Sequence, residues 1–384
     1  MPEVRSVRFW SINGRFLTQR VTGVQRYARE IVGALDDALA SDHPLARDLA
    51  VDLVVPDAPF DAMPLKRIRT VARGRWGGHI WEQAMLPGCV KGGLLCLGNA
   101  GPLTVRRQII CMHDVNTRTF PSSYSAGFRA QQRLALPILG RTAAAVATVS
   151  QYSAGELVRH GICDKNKIVV IPNGHEHVKR WGLRLSPAIR RVASRSTVVM
   201  IGTPAPHKNF GLLLGLAPRL HAAGLRIAIV GAAEPKVYGA ARIGTTAEAV
   251  TCLGKLSDGE LAALLGDCLC LAFPSFVEGF GLPPLEAMAL GCPVVVSDRA
   301  SLPELCGSSA LYCSPMDPDA WFDCFLRLRD NDGLRRQMAL AGQERALAFS
   351  WSRSAELYLQ VMSAVDRSWA RHPAARRPSR LNAT

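Results

Sequence analysis

No apolar stretch of this chain reaches the ~18 uninterrupted residues that a helix needs to cross a bilayer. The nearest, residues 134–149, is broken by Arg141. The first ten residues, MPEVRSVRFW, lack the long apolar core of a signal peptide. Together these absences predict a cytoplasmic protein. No C-x-x-C pair occurs among the eleven cysteines, which lie scattered in apolar runs at positions such as Cys96, Cys111, Cys268, Cys270 and Cys292. Zinc and a disulfide framework are therefore not expected, and buried reduced thiols are. No G-x-G-x-x-G follows the first apolar run either, so the dinucleotide fingerprint is missing.

What remains is a globular chain. Its 384 residues are enough for two or three domains, each with its own core. An apolar content of 48% against 20% charged residues excludes a disordered protein. The net charge of +15 is divided almost evenly between residues 1–176 and 177–384. A nucleic-acid binder would cluster it, so no nucleic acid is expected. Peripheral contact with an anionic membrane, or an anionic diphosphate substrate, suits a diffuse excess. Arg367, Arg371, Arg376, Arg377 and Arg380 do cluster, with no acid among them, and residues 367–384 read as a basic, disordered tail.

The most informative stretch is 273–298, FPSFVEGFGLPPLEAMALGCPVVVSD. Residues 268–273 (CLCLAF) before it and 293–297 (PVVVS) at its end read as buried strands. Pro283 and Pro284 fit the first turn of a helix between them, and Gly291 is placed to cap its end. Strand, loop, helix and strand make a βαβ crossover, hence a parallel sheet. A helix start carries free N–H groups and the positive end of the dipole, an anion seat. Gly279 and Gly281 let backbone come close to a ligand. Glu278 and Glu286 bracket the seat, and an ionised carboxylate accepts from two neighbouring hydroxyls. A phosphate seat between two diol readers suits a nucleotide-sugar.

Glu278-GFGLPPL-Glu286 resembles the E-x7-E motif of retaining glycosyltransferases of family 4. The resemblance is strong over 197–298, looser before residue 110, and implies the GT-B fold: α/β, two Rossmann-like domains facing each other across a cleft. It places an acceptor-binding domain at 1–176, a linker at 177–194 and a nucleotide-sugar domain at 195–350. A closing helix at 351–366, whose start in FSWSRSAELYLQVM carries the resemblance, then returns to the first domain.

Read in order, residues 7–12, 51–55, 94–97, 108–112, 143–149 and 168–172 are the strands of the first domain, with 56–79 irregular. The second domain begins with strands 197–202, 225–231 and 250–255. Thr22-Gly23 opens a helix whose Val24, Tyr27, Ile31 and Leu35 share a face. By resemblance, Gly23 lies close to the donor phosphates or the acceptor. His113-Asp114 ends a strand, where open α/β sheets bind ligands, and HDVNTRTFP resembles the segment whose histidine approaches the transferred sugar. Ser153 with Glu156 fits an S-x-x-E capping box.

Lys208 follows the second domain's first strand, beyond Gly202 and Thr203. It matches the family lysine that neutralises the leaving diphosphate. His207 stands where that family usually has arginine, and is counted with the donor site. Leu253 and Gly254 correspond to the nucleobase pocket, and the loop residues Gly279, Phe280, Gly281 and Leu282 to the phosphate seat. The implied roles are Lys208 and the amides near Leu282 on the diphosphate, Glu278 and His113 on the sugar, and Glu286 on the ribose. Two D-x-D triplets occur; Asp317 or Asp319 reads as a helix N-cap, Asp330 to Asp332 sits between helices, and no metal or cofactor is expected.

The implied reaction is retaining transfer of a hexose from a nucleoside diphosphate sugar. GDP-mannose is favoured over UDP-hexose, and the acceptor is a hydroxyl of a glycan or lipid-linked glycan at the inner membrane face. A catalytically silent sugar-nucleotide or lipid-binding protein, and a nicotinamide-dependent oxidoreductase, are the alternatives.

Overall fold

The computed structural model describes residues 7–231 and 248–371. Short apolar runs form the strands, and most are buried on both faces, as parallel strands under helices must be. β1 is Arg8–Asn13, β2 Leu49–Val55, β3 Arg69–Ala72, β4 Gly93–Cys96, β5 Gln108–Cys111, β6 Ala145–Thr148 and β7 Ile168–Val170. Among the described residues they make an all-parallel sheet of order β3-β2-β1-β4-β5-β6-β7. A second all-parallel sheet holds β8 (Thr197–Ile201), β9 (Arg226–Val230), β10 (Val250–Gly254), β11 (Cys270–Phe273), β12 (Val294–Ser297) and β13 (Leu311–Cys313). Its order is β10-β9-β8-β11-β12-β13. The architecture is thus the expected pair of α/β domains.

Each sheet reverses its strand order once, between β1 and β4 in the first and between β8 and β11 in the second. Ligand crevices of open α/β sheets lie beyond the carboxyl ends of strands at such reversals. Helix α1 (Gly23–Ala40) follows β1, α2 (Ala126–Thr142) and α3 (Gln151–Arg159) flank β6, and α4 (Leu282–Ala289) joins β11 to β12. The last helix, α5 (Trp351–Arg371), crosses back to the first domain. There Tyr358 meets Tyr27 hydroxyl to hydroxyl at 2.9 Å. Asp366 takes the Trp10 indole N–H at 3.0 Å and the guanidinium of Arg107 at 2.6 Å. One buried apolar cluster consequently runs from Trp10 and Ile12 through Tyr358 to Leu285 and Phe273.

Three expectations are corrected. The segment 56–79, read as irregular, contributes β3, which pairs with β2 through Asp52 to Val55; its residues are largely exposed, so it lacks the apolar signature of an inner strand. The closing helix does not stop at 366 but continues to Arg371, five residues into the supposed tail; the rest of that tail lies outside the described residues. Ser153 is not an N-cap. Ser150 caps α3 by accepting from the Ser153 N–H, and Ser153 sits inside the first turn.

Candidate active site

The loop after β11 is held by its carbonyl groups. Ser297 donates to the Ser275 carbonyl at 2.6 Å, and Ser301 donates to those of Glu278 and Phe280 at 3.0 and 2.9 Å. Two serines of the other domain donate to Gly279, Ser150 at 2.6 Å and Ser153 at 3.0 Å. Ser153 also reaches the His113 carbonyl at 2.9 Å. Buried hydroxyls therefore fix both the loop and its place against the first domain. Gly279 has no room for a side chain, because a Cβ there would overlap the His113 carbonyl oxygen. The expected reason for this glycine, access for a ligand, gives way to a close approach between domains.

At the β8/β11 reversal the loop presents Glu278 to Lys208. The Lys208 Nζ donates to Glu278 Oε1 at 2.7 Å and lies 5.3 Å from the centre of the Phe273 ring. Both side chains are mostly buried, at 20% and 11% exposure. Asp114 is the neighbour that the motifs did not single out. Burial raises its pKa and the charge of Glu278 adds to that, against the Asn116 N–H, His113 and Lys208. Lys208 thus bonds Glu278, with the Asp114 carboxyl and the His113 imidazole near enough to act on the same charges.

Glu286 is also engaged. Its Oε1 lies 3.0 Å from His177 Nε2 and 3.7 Å from the guanidinium of Arg26, which binds Asp258 at 2.6 Å as well. The Trp351 indole N–H donates to His177 Nδ1 at 3.0 Å. That bond fixes the proton of the neutral ring on Nε2, pointing at Glu286. Both carboxylates that bracket the expected seat are paired with protein groups. The anion seat is narrower than expected too. Gly281 (φ +107°) precedes α4, Leu285 N–H already bonds the Gly281 carbonyl, and Pro283 and Pro284 carry no N–H. The first turn thus offers the amides of Gly281 and Leu282. Gly291, at φ +74°, ends the helix as predicted.

His113 stands at the end of β5, buried, with Nε2 on the Leu97 carbonyl at 2.9 Å and its ring edge-on to Tyr27 at 4.7 Å. Burial opposes its protonation, but Cys111, the Leu97 carbonyl and Asp114 outweigh that and push the imidazole up to about 9. His207 behaves in the opposite way. Burial and the neighbouring Lys208 lower it to about 4, against a smaller pull from Glu278. Its Nδ1 pairs with Ser123 at 2.8 Å and its ring stacks on Tyr124. At neutral pH it is an uncharged contact to the first domain.

The remaining expected donor residues are more dispersed. Gly202 (φ +143°) and exposed Thr203 form the turn after β8. Leu253 and Gly254 end the edge strand β10, where the Gly254 carbonyl takes the Gly231 N–H at 2.7 Å. Gly23 opens α1, and nothing lies within 4 Å of where its Cβ would be. Phe280 is buried edge-on against Phe349. Asp317 does cap a helix, accepting from Ala320 N–H at 3.1 Å. Among the described residues no group of three or more potential metal ligands is gathered, and no helix is long and apolar enough to cross a membrane.

Residues 195–331 match the family described as glycosyl transferases group 1. The second domain belongs to that family. The chain is 28% identical over 260 residues to the O-antigen chain mannosyltransferase B of Escherichia coli, covering 65% of this chain and 68% of that one. It is 27% identical over 231 residues to the O-antigen chain mannosyltransferase RfbU of Salmonella typhimurium, spanning 59% and 62% of the two. Among solved structures, sucrose-phosphate synthase from Thermosynechococcus elongatus superposes with a TM-score of 0.69 over 93% of this chain and all of that one, at 18% identity. The two-domain arrangement of this glycosyltransferase is the GT-B fold, and Lys208, Glu278 and Glu286 all lie within the matched residues 195–331.

Proposed function

We propose that the chain is a retaining hexosyltransferase that takes its sugar, mannose by preference, from a nucleoside diphosphate. The acceptor is a hydroxyl of a glycan, carried on a lipid at the inner face of a membrane. The observation that carries this reading is the Lys208–Glu278 ion pair at the β8/β11 reversal, held against the His113 strand end by Gly279.

In this reading the diphosphate takes the place of Glu278 as partner to the Lys208 ammonium, with the Gly281 and Leu282 amides on the other oxygens. The released Glu278 then accepts from hydroxyls of the sugar. Glu286, already aimed by His177 and Arg26, accepts from the ribose. The bond from the anomeric carbon to the phosphate oxygen breaks, and the acceptor oxygen bonds that carbon on the same face. The acceptor's proton passes to the departing phosphate. Fixed donors aimed at the charge that develops on the leaving group supply the rate.

The mannosyl preference rests on the two O-antigen mannosyltransferases that the chain resembles. A membrane-borne acceptor fits the diffuse net charge of +15. It also fits helix α2, which exposes Leu134 (71%) and Ile138 (41%) beside Arg133 and Arg141. Thermal unfolding against GDP, UDP, ADP and NAD tests the donor site. A ligand at a hundred times its Kd adds about 2.7 kcal/mol. A shift with GDP alone supports GDP-mannose; a shift with NAD alone overturns the transferase reading. The product's anomeric configuration by NMR then decides between retention and inversion.

A further inference from the structure

The first turn of α3 is held from the other domain. Its Gln151 and Tyr152 N–H groups, which a helix start cannot bond within itself, donate to Glu304 Oε1 at 2.8 Å and Oε2 at 3.1 Å. No other acceptor reaches these two amides among the described residues. Glu304 is exposed and belongs to the short helix Leu302–Cys306 of the second domain. Arg345 steadies that helix, with Nη2 on the Glu304 carbonyl at 2.7 Å and Nε on the Leu305 carbonyl at 2.8 Å.

Glu304 completes a ring of hydrogen bonds. Three residues before it, Ser301 donates to the Glu278 and Phe280 carbonyls. The Gly279 carbonyl, between those two, takes the hydroxyls of Ser150 and Ser153, which cap and begin the same turn of α3 that Glu304 holds. Ser153 reaches the His113 carbonyl as well. The segment 301–304, the 278–280 loop and the start of α3 therefore fix one another. The hydroxyl links are buried, while the Glu304 link faces solvent. Its charge suits the positive end of the α3 dipole and strengthens both bonds. Being open to water, it is still the link of the ring that breaks first.

We propose that Glu304 is an interdomain positioning residue. By holding Gln151 and Tyr152 it sets Ser150 and Ser153 against Gly279, and so sets Glu278 and His113 against each other. Its release is the first step in parting the two domains at this edge. The effect on turnover rests on the transferase reading; the link itself does not.

The test combines hydrogen exchange with donor turnover on the full chain, in the wild type, Glu304→Ala, Glu304→Gln and Glu304→Asp. Exchange in a peptide spanning Gln151 and Tyr152 quickens about tenfold in Glu304→Ala. Glu304→Gln keeps one accepting oxygen at the same reach and falls between. Glu304→Asp keeps the charge but is a methylene short, and follows the alanine variant. Unchanged exchange in β5 and β11 shows that the variants are folded. Cleavage of GDP-mannose or UDP-glucose, read as release of the nucleoside diphosphate, slows about tenfold in Glu304→Ala, while the Kd for GDP or UDP stays within about twofold. The inference is overturned if exchange at α3 does not change, if Glu304→Asp matches the wild type, if nucleoside diphosphate binding weakens in step with turnover, or if turnover is untouched. Faster exchange at α3 in a chain whose wild type neither binds GDP or UDP nor cleaves either donor upholds the link and sinks the transferase reading instead.

Discussion

Gly279 and His113 meet backbone to backbone across the domain boundary, so close that a Cβ on Gly279 would overlap the His113 carbonyl oxygen. Ser153 donates to carbonyls on both sides of this contact. The loop that carries Glu278 is therefore positioned by the first domain. Gly279→Ala must push backbone against backbone, since no flexible side chain is there to yield. Overpacking of that kind costs about 1–3 kcal/mol. The expected result is a lower melting temperature together with a loss of transfer greater than the loss of donor binding. Wild-type values for both would show that the two loops are free to separate.

The Lys208–Glu278 pair gives the sharpest functional prediction. Removing a fixed donor aimed at developing charge typically costs ~10²–10³ in turnover. Lys208→Ala is expected to show at least that loss, with weaker stabilisation by the cognate nucleoside diphosphate. Glu278→Gln removes the negative charge that competes with a diphosphate for the lysine, so it should keep or strengthen nucleoside diphosphate binding while losing transfer. A Glu278→Gln variant that turned over normally would remove the carboxylate from the mechanism.

Much of this site was legible in the sequence because a short motif carries a local geometry. The βαβ frame around 273–298, Gly291 as helix stop and Asp317 as a cap follow from residues within a few positions of one another. What lay beyond the sequence is contact at long range. Nothing local marks Ser153 as an interdomain donor rather than a cap, or His177 and Arg26 as the partners that hold Glu286. β3 was missed for a related reason: an exposed edge strand has no apolar run, and only its pairing with β2 defines it. Asp114 had a signal, its place beside His113 at a strand end, but its nearness to Glu278 needed the fold.

Trp351 controls the state of His177 from the closing helix. Its indole N–H takes Nδ1, leaving the Nε2 proton for Glu286. Trp351→Phe keeps most of the apolar packing but leaves a buried nitrogen unpartnered, at about 1–3 kcal/mol. Urea unfolding should register that loss. Freed to change tautomer, His177 would hold Glu286 less firmly, and the Kd for the nucleoside diphosphate should rise. Loss of stability with an unchanged Kd would confine Trp351 to packing.

His207 supplies a dependence on pH. Its pKa in the folded chain, lowered to about 4 by burial and by Lys208, lies below the ~6.5 of an unfolded histidine. Between those values the unfolded chain binds the extra proton. Stability from this residue is thus complete above pH 6.5 and is lost as the pH falls toward 4. In His207→Asn the amide can still face Ser123 but has no proton to gain. Its melting temperature should therefore fall less steeply than that of the wild type across this window, and the two should converge in slope near pH 8. Parallel profiles from pH 8 to 4 would mean that His207 is protonated in the fold as readily as in water, and the uncharged contact with Ser123 and Tyr124 would have to be abandoned.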